Sequence, residues 1–429
     1  MRLHFLAALG LAAACARPTG SAAVPRNASD TDLAARARPI HERALTIDTH
    51  KDIPDNYATA EADPKTMNAQ VNLDKMKAGG YDMAFFAVFV GQGARTDSGN
   101  ALAKERALNK FAAIHRMTEQ MYPNLIEIAY TPDDARRIHA AGKLVAGIGI
   151  ENGWVIGKDL SLIQRYYDLG ARYMTLAHTS NNDICDSSTD PRGPEWHGLS
   201  PFGRQVVAEM NRVGMMVDVS HVSKECMMQA TALSTSPVIG SHSSTTAIAN
   251  VPRNMDDEML RALAKNDGVA QMVAFASYVK AVPARDSAVR ALNAEFFGSA
   301  PQPVGGRGGG GRGGGRGGGR GRAALPADRQ SEYDRRMASI EARWPSATVH
   351  DFVDHVDHAV RVAGIDHVGI SSDFDGGGGI AGWRDASETF NVTLELVRRG
   401  YSETDIRKLW GENTLRVWAE NQRRAKPKA

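Results

Sequence analysis

The sequence predicts an α/β fold in which eight parallel strands and their helices form one (β/α)8 TIM barrel. Three observations support this prediction. Eight short runs of aliphatic and β-branched residues are typical of strands buried on both faces, as in a parallel sheet. Stretches with helical periodicity lie between the runs, and each ends near a glycine or an asparagine. Several runs end in histidine, aspartate or glutamate, at the strand ends where barrels collect their active sites.

The predicted strands follow one another along the whole chain, with predicted helices such as KERALNKFAAIHRMTEQMY and DDEMLRALAKNDG between them. The second run, MAFFAVFV, could instead be a turn of buried helix, so the count of eight depends on it. At 429 residues, 42% of them apolar, the chain could form one large barrel or two ordinary domains. Regular alternation favours one barrel over residues 36–425. The strands are expected at residues 45–49, 83–90, 144–150, 172–178, 215–220, 237–241, 269–275 and 367–372.

The first fifteen residues, MRLHFLAALGLAAAC, are typical of an export signal, and they are too short to span a bilayer. The residues before Cys15 resemble a bacterial lipobox, which predicts lipid attachment there; simple cleavage is the alternative. We therefore expect an exported protein of the bacterial periplasm or outer membrane, in contact with a membrane only through such an anchor. Residues 16–35 are small, polar and proline-containing, and predict a flexible tether.

A glycine-rich tract at residues 301–325 separates the seventh and eighth predicted strands. So much glycine cannot form a packed core, because no apolar burial offsets the entropy lost on ordering. A flexible loop insertion is the simplest interpretation. An RGG-type contact with nucleic acid is the alternative, but no aromatic residues lie between the arginines. Without the tract the chain is slightly acidic, so we expect no nucleic-acid partner.

Two cysteines, Cys185 and Cys226, lie beyond Cys15. An oxidising compartment permits a disulfide between them. Sequence cannot show that they are close, so two unpaired thiols are equally compatible. No cysteine spacing indicates a metal site, and any metal must use other ligands.

Three metal-capable side chains follow two of the predicted strands. His50 and Asp52 lie two residues apart at one strand end, so both can point to the same side. An imidazole and a carboxylate suit Zn²⁺ or a similar ion, although an isolated H-x-D is equally typical of a surface turn. Glu151 follows a second apolar run. A helix cap or loop role would explain Glu151, but with metals present its carboxylate can bridge two ions.

Histidines end two further runs, at His221 and His242. Taken singly, such histidines are more often buried core residues. Metal-capable residues at four separate strand ends of one barrel face favour a metal centre instead. Two divalent ions can hold a bridging hydroxide at neutral pH and polarise a carbonyl oxygen. That chemistry is hydrolytic.

Hydrolysis also needs a proton carrier for the leaving amine and a donor for the developing oxyanion. Asp373 and His178 stand at strand ends and are not required as ligands, so they are candidates for these two roles. An Asx turn into the following glycines is the other explanation of Asp373, and we assign that turn to Asp375. Three further histidines near the eighth strand are expected to be structural: His355, His358 and His367.

Six segments of the chain carry a resemblance to a known family. They are, in order, THKDIPD, GIGIENG, LAHTSNN, VDVSHVS, SHSSTTAIANVPRNMDDEML and VGISSDFDG. This set resembles the membrane dipeptidase (renal dipeptidase) family of zinc peptidases. The resemblance extends from about residue 40 to residue 420 and is broken only by the glycine-rich tract.

The resemblance implies a (β/α)8 metallohydrolase with two Zn²⁺ per chain. It implies that His50 and Asp52 bind one zinc, that His221 and His242 bind the other, and that Glu151 bridges both. His178 would contact the substrate and stabilise the tetrahedral intermediate, and Asp373 would move the proton from the attacking water to the leaving amine. Arg253 would hold the terminal carboxylate of the substrate through two parallel hydrogen bonds. Tyr278 is a further candidate for substrate binding.

Some positions depart from the family pattern. Asn152-Gly153-Trp154 replaces the Gly-Gly-His of mammalian members, which would reshape the pocket wall, and Ser180 stands where mammalian members have a cysteine. The polar C-terminus lacks their glycolipid anchor signal.

The expected activity is zinc-dependent hydrolysis of free dipeptides, with a homodimer suggested by the family alone. The alternatives are a related binuclear hydrolase of N-acyl amino acids, β-lactams or lactones, and a non-catalytic envelope lipoprotein.

Overall fold

The computed structural model describes residues 29–298 and 325–426. The predicted export signal, the lipid site at Cys15 and tether residues 16–28 lie outside the described residues. The same holds for the glycine-rich tract through residue 324. Within the described part, no helix combines the length and apolar character that crossing a membrane requires.

A sheet of nine parallel strands is present in the described chain, and eight of them form the barrel wall. The strands are β1 (Ile47–Asp52), β2 (Met83–Phe89), β3 (Ile126–Ile128), β4 (Leu144–Glu151), β5 (Ala171–Thr175), β6 (Met216–Asp218), β7 (Ile239–Ser243), β8 (Val269–Val273) and β9 (Val368–Ser371). The order around the wall is β1-β2-β4-β5-β6-β7-β8-β9.

The ring closes between the end of β1 and the residues after β9. The backbone N–H of Asp52 donates to the carbonyl oxygen of Phe374 at 2.9 Å, beside a parallel bridge between Lys51 and Phe374. The predicted (β/α)8 barrel is confirmed, and MAFFAVFV is strand β2 rather than a helix turn. The additional strand β3 pairs with the start of β4 and lies off the ring. Its three residues are too few to show a periodicity in the sequence.

Helices follow most strands and cover the outside of the barrel. They are α1 (Asp30–Arg43), α2 (Leu73–Gly79), α3 (Asp97–Arg116), α4 (Pro132–Ala140), α5 (Ser161–Asp168), α6 (Pro201–Val213), α7 (Lys224–Leu233), α8 (Asp257–Lys265), α9 (Ala276–Val279), α10 (Pro283–Phe297), α11 (Ala327–Arg343), α12 (Val349–Ala363), α13 (Phe390–Arg398), α14 (Glu403–Arg407) and α15 (Asn413–Arg424).

Helix α1 corrects one predicted boundary. It begins at Asp30, inside the segment 16–35 that the sequence assigned to a tether. Ser29 caps the helix: its side chain accepts from the backbone of Asp32, while the Asp32 carboxylate accepts from the backbone of Ser29. Leu33 and Ala37 are buried on one face of the helix. The folded part of the chain therefore starts before residue 36.

The barrel interior is built in layers, and the lower layer is apolar. Side chains near the start of the strands form one buried cluster that includes Ile47, Phe85, Val145, Tyr173, Met216, Ile239 and Val269. Because side chains alternate along a strand, residues two positions later face the same interior. Those later residues include Thr175, Asp218 and Ser241, all buried. A polar layer therefore lies between this buried apolar cluster and the carboxyl ends of the strands.

The cysteines left open by the sequence are both free and buried. Burial, together with the hydrogen bond that the Cys226 thiol donates to Cys185, raises the pKa of Cys226. Of the three histidines expected to be structural, His355 is fully buried and ties two loops together. Its Nδ1 accepts from the backbone of Thr245 at 3.0 Å, and its Nε2 donates to the carbonyl oxygen of Val279 at 2.8 Å. His358 contacts Asp257, and His367 contacts the backbone of Gly268.

Candidate metal centre

Metal-capable side chains meet at the carboxyl ends of the barrel strands. Three overlapping groups have all their ligand atoms within 4.8 Å of one another: His50 with Glu151 and His242, Glu151 with His178 and His221, and His50 with Asp52 and Asp373. These are the five residues predicted as metal ligands and the two predicted for proton transfer and oxyanion stabilisation. The fold thus brings together side chains that are more than 300 residues apart in sequence.

Glu151 lies at the centre of the cluster, at the last position of β4. Its Oε1 is 3.0 Å from Nε2 of His221, 3.3 Å from Nε2 of His178 and 3.4 Å from Nε2 of His242. Its Oε2 lies 3.5 Å from Nε2 of His50. Only 4% of the Glu151 side chain is exposed, so the carboxylate has almost no water to solvate it. The two oxygens thus lie near different imidazole rings, so each oxygen could bind a different ion.

Two further carboxylates flank His50. Its Nε2 is 3.8 Å from Oδ2 of Asp52 and 3.9 Å from Oδ1 of Asp373. Gly376 passes close to both carboxylates: a Cβ added there would lie 2.2 Å from Asp52 and 2.4 Å from Asp373. Any side chain at this position would displace the carboxylates, so glycine is required by the close approach.

Backbone strain is concentrated around the cluster. His221, Asp373 and Asn152, which follows Glu151, adopt left-handed conformations with φ of 67°, 57° and 78°. Such conformations are uncommon outside glycine and cost free energy, and they persist where the surrounding structure enforces them. His221 contacts Glu151 from this conformation, and Asp373 lies near His50.

The pKa values of Glu151 and His50 reflect their contact. Burial works against the charged form of each group, but His178 and His50 lower the pKa of Glu151 well below its ordinary value. At His50, burial lowers the pKa, but Tyr173 and Glu151 raise it by more, so that the pKa of His50 lies well above its ordinary value. The region around Glu151 therefore favours positive charge close to a buried carboxylate.

The pKa values of the other ionisable groups of the cluster shift in the direction that burial favours. Burial lowers the pKa of His221 and of His242 well below the ordinary imidazole value, which leaves both rings neutral and able to act as ligands. Burial also lowers the pKa of His178. Burial raises the pKa of Asp373 well above the usual range, and although His50 lowers it, the charges of Asp52 and Glu151 raise it further.

The donor set fits a pair of divalent cations. Nε2 of His50 is buried and has no hydrogen-bond partner among the described residues. Nε2 of His221 lies only 2.7 Å from Nε2 of His242. Two nitrogen lone pairs repel at this distance unless a proton or a cation lies close to both. Imidazole nitrogen and carboxylate oxygen are donors that Zn²⁺ takes.

Arg253 and Tyr278 lie beside the cluster. Arg253 is 5% exposed, and its guanidinium carbon lies 5.4 Å from the centre of the Tyr278 ring. Its hydrogen bonds go to uncharged atoms, the carbonyl oxygen of His242 at 3.0 Å and the hydroxyl of Ser243 at 3.4 Å. Nε of Arg253 has no partner within the described chain. A buried cation with a free donor is suited to bind an anion.

Comparison with known proteins assigns this arrangement to a family. A model of the membrane dipeptidase family, peptidase family M19, matches residues 34–429. The chain belongs to the membrane dipeptidase family. The match contains every strand of the barrel and every residue of the cluster.

Individual membrane dipeptidase relatives agree with this. Dipeptidase tcpJ from Claviceps purpurea (strain 20.1) is 30% identical over 361 residues, which cover 83% of this chain and 70% of that protein. The probable dipeptidase PvdM from Pseudomonas aeruginosa is 32% identical, with a TM-score of 0.76 over 92% of this chain and all of that chain. A metallopeptidase from Rhodobacter sphaeroides, solved with a phosphinate mimic of the dipeptide L-Ala-D-Ala, shares the fold. Its TM-score is 0.65 at 21% identity, over 88% of this chain and 99% of that one.

Family membership and the assembled cluster establish this membrane dipeptidase as a metal-dependent hydrolase of peptide bonds. The alternative of a non-catalytic envelope lipoprotein is not favoured.

Sequence reasoning missed the groups that support the ligands of this membrane dipeptidase. The Tyr173 hydroxyl lies 3.0 Å from Nδ1 of His50, and the Ser241 hydroxyl lies 2.8 Å from Nδ1 of His242. Asp218 accepts from the Ser241 hydroxyl at 2.6 Å. One feature of the sequence could have indicated these supporting groups. Asp218 lies three residues before His221, and a carboxylate inside a buried strand needs partners.

Lys51, between the ligand candidates His50 and Asp52, was also missed. Its side chain is 1% exposed, and its Nζ lies 3.2 Å from Oδ2 of Asp375. The Asp375 carboxylate also accepts from the backbone N–H groups of Gln70 and Val71, at 2.7 and 3.2 Å. Asp375 therefore joins three segments of the barrel rim, and the Asx turn into the following glycines that we predicted for it is wrong.

Proposed function

We propose that this membrane dipeptidase binds two Zn²⁺ ions and hydrolyses the peptide bond of free dipeptides. One ion would be held by His50 and Asp52, the other by His221 and His242, and Glu151 would contact both. The observation that supports this most strongly is the position of Glu151. One of its oxygens lies 3.5 Å from His50, and the other lies 3.0 and 3.4 Å from His221 and His242.

Bound zinc ions supply an ionised water at neutral pH and polarise the scissile carbonyl. The protein must then move the proton of that water to the leaving amine. Asp373 is suited to this transfer because burial raises its pKa well above that of an exposed aspartate, so that its carboxylate holds a proton more readily. Its Oδ1 lies 3.9 Å from His50, on the edge of the cluster rather than at its centre.

His178 is suited to stabilise negative charge on the carbonyl oxygen. Its ring is packed between Phe89 and His221, with centroid distances of 4.7 and 4.2 Å, so its orientation is restrained. Burial lowers its pKa, which favours a neutral ring that donates one hydrogen bond. A donor fixed before the reaction stabilises an oxyanion without further reorganisation.

Arg253 would bind the terminal carboxylate of the substrate, with Tyr278 alongside. The guanidinium is fixed by the carbonyl oxygen of His242, the residue next to which the scissile bond would lie. Its Nε has no hydrogen-bond partner in the described chain, so part of the guanidinium remains available to a carboxylate. This arrangement would limit substrates to those whose free carboxylate lies one residue beyond the scissile bond.

A hydrolysis panel tests the proposed substrate class. The purified protein is offered free dipeptides, the same dipeptides with an amidated C-terminus, N-acyl amino acids, a β-lactam and a lactone. We expect rapid cleavage of free dipeptides and slow cleavage of the amides. Faster turnover of acyl amino acids, lactams or lactones would assign the site to the alternative substrates considered for the sequence.

A further inference from the structure

Two of the proposed zinc ligands present one ring nitrogen to Glu151 and the other to a buried hydroxyl. Nδ1 of His50 lies 3.0 Å from the hydroxyl of Tyr173. Nδ1 of His242 lies 2.8 Å from the hydroxyl of Ser241. Both hydroxyls belong to residues that are fully buried in the barrel interior. Which atom carries the proton in each contact decides which ring nitrogen is free to bind a metal.

The partner of the Tyr173 hydroxyl settles the direction of the first contact. This hydroxyl lies 2.8 Å from the carbonyl oxygen of Thr49, which can only accept. Since a phenol has one proton to donate, the proton points to Thr49. The phenol oxygen then accepts from Nδ1–H of His50.

The second contact has the same direction for a different reason. The Ser241 hydroxyl lies 2.6 Å from Oδ2 of Asp218 and 3.3 Å from the hydroxyl of Ser220. The shorter contact to a carboxylate is the stronger one. Asp218 is itself fixed by the backbone N–H groups of Ser220 and Ser241, at 3.0 and 2.9 Å. The Ser241 proton therefore points to Asp218, and its oxygen accepts from Nδ1–H of His242.

We propose that Tyr173 and the Ser241–Asp218 pair are positioning residues that hold the Nδ1 protons of His50 and His242 and direct both Nε2 atoms toward the metal centre. The inference rests on the proposed binding of zinc. A fixed ring with its proton on the far nitrogen binds a divalent ion more tightly than a ring that can rotate or change tautomer.

His221 lacks such a hydroxyl. Its Nδ1 is buried and has no hydrogen-bond partner among the described residues. This ring is directed by the left-handed backbone at His221, with φ of 67°. The hydroxyls thus orient one ligand of each proposed zinc site, and loss of either hydroxyl should weaken one site more than the other.

Two substitutions with matched controls test the proposal. Tyr173→Phe and Ser241→Ala each remove one hydroxyl that faces an imidazole. Tyr166→Phe removes a phenol hydroxyl of a fully buried tyrosine that bonds the carbonyl oxygen of Val155. Ser234→Ala removes the hydroxyl of a buried serine that donates to the carbonyl oxygen of Ser236. The measurement is the zinc dissociation constant of each site, by competition with a chromophoric chelator.

We expect Tyr173→Phe and Ser241→Ala each to weaken one zinc site by about 10–100-fold, the range found for partners of metal-binding histidines. The controls should keep zinc affinities close to those of the unmodified protein, because neither removed hydroxyl faces a metal-binding imidazole. Zinc affinities of all four variants equal to that of the unmodified protein would overturn the inference while leaving the proposed function intact. Failure of the unmodified protein to bind zinc would instead remove the proposed function.

A second measurement needs no variant. In the zinc-loaded protein labelled with ¹⁵N-histidine, two-bond ¹⁵N–¹H correlations report which ring nitrogen carries the proton. We expect slowly exchanging Nδ1–H signals for His50 and His242, and the signal of His50 should exchange faster in Tyr173→Phe and that of His242 in Ser241→Ala. A proton on Nε2 of His50 or His242 in the unmodified protein would contradict the assignment.

Discussion

Nε2 of His221 lies 2.7 Å from Nε2 of His242, and both atoms face Oε1 of Glu151 at 3.0 and 3.4 Å. Burial lowers the pKa of both rings, so neither readily takes up a second proton near neutral pH. Two neutral imidazoles that point their nitrogens at one another and at a carboxylate form a site for a cation. The second oxygen of the same carboxylate, Oε2, lies 3.5 Å from Nε2 of His50.

Removal of metal should abolish dipeptide hydrolysis. Chelation followed by dialysis should leave a folded protein without measurable turnover, because no group in the cluster alone ionises water near pH 7. Addition of Zn²⁺ should restore activity, with saturation near two ions per chain. A sample dialysed without chelator is the control. Full turnover by a protein shown to contain no metal would refute the mechanism.

Asp373→Asn should separate proton transfer from metal binding. The amide keeps the shape of the carboxyl but cannot carry the proton, so kcat should fall by about 10²–10⁴-fold. The metal content should stay close to that of the unmodified protein, because Asp373 lies at the edge of the cluster. Metal analysis of the purified variant checks this. Loss of an ion would show that Asp373 is a ligand.

Arg253→Ala should affect mainly substrates with a free terminal carboxylate. Loss of a charged hydrogen bond of this kind costs about 1.5–3 kcal/mol, or roughly 10–150-fold in kcat/KM. The amidated form of the same dipeptide, assayed on the same variant, controls for any disturbance of the buried site. An equal loss for the acid and the amide would remove carboxylate binding from the role of Arg253.

His355→Gln should change how stability depends on pH. Burial lowers the pKa of His355 below its ordinary value of 6.5. The unfolded chain therefore binds this proton more readily, so the contribution of His355 is complete above about pH 6.5 and is lost as the pH falls below it. Thermal unfolding of metal-free protein at pH 7.5 and 5.5 measures this. The variant should be less stable at pH 7.5 by about 1–3 kcal/mol and should lose less on acidification. An unchanged pH dependence would contradict the argument.

The main features of the fold could be predicted because the strands are buried on both faces and read as apolar runs. The positions of His50, Glu151 and His242 at strand ends then followed from the geometry of parallel sheets, in which all carboxyl ends meet on one face. The short strand β3 depends on pairing of three residues with β4, and the start of α1 depends on capping by Ser29. Neither could be predicted from composition alone.

The contacts that support the metal-ligand candidates could not be predicted from the sequence, because they join residues that are far apart along the chain. Tyr173 meets His50 across 123 residues, and Lys51 meets Asp375 across more than 300. No spacing rule connects such residues. In the sequence, Tyr173 looks like an ordinary aromatic core residue of a strand. The role of its hydroxyl becomes visible only when the strand that carries His50 is placed nearby. The register between neighbouring strands could not be derived from the apolar runs of this sequence, and it decides which polar groups meet inside the barrel.

Anomalous diffraction from zinc-loaded crystals tests the central claim most directly, since it locates each ion and the atoms that bind it. We expect two zinc peaks, one in contact with His50 and Asp52, the other with His221 and His242, and both with Glu151. A single peak, or two peaks of which only one touches Glu151, would contradict the proposed centre.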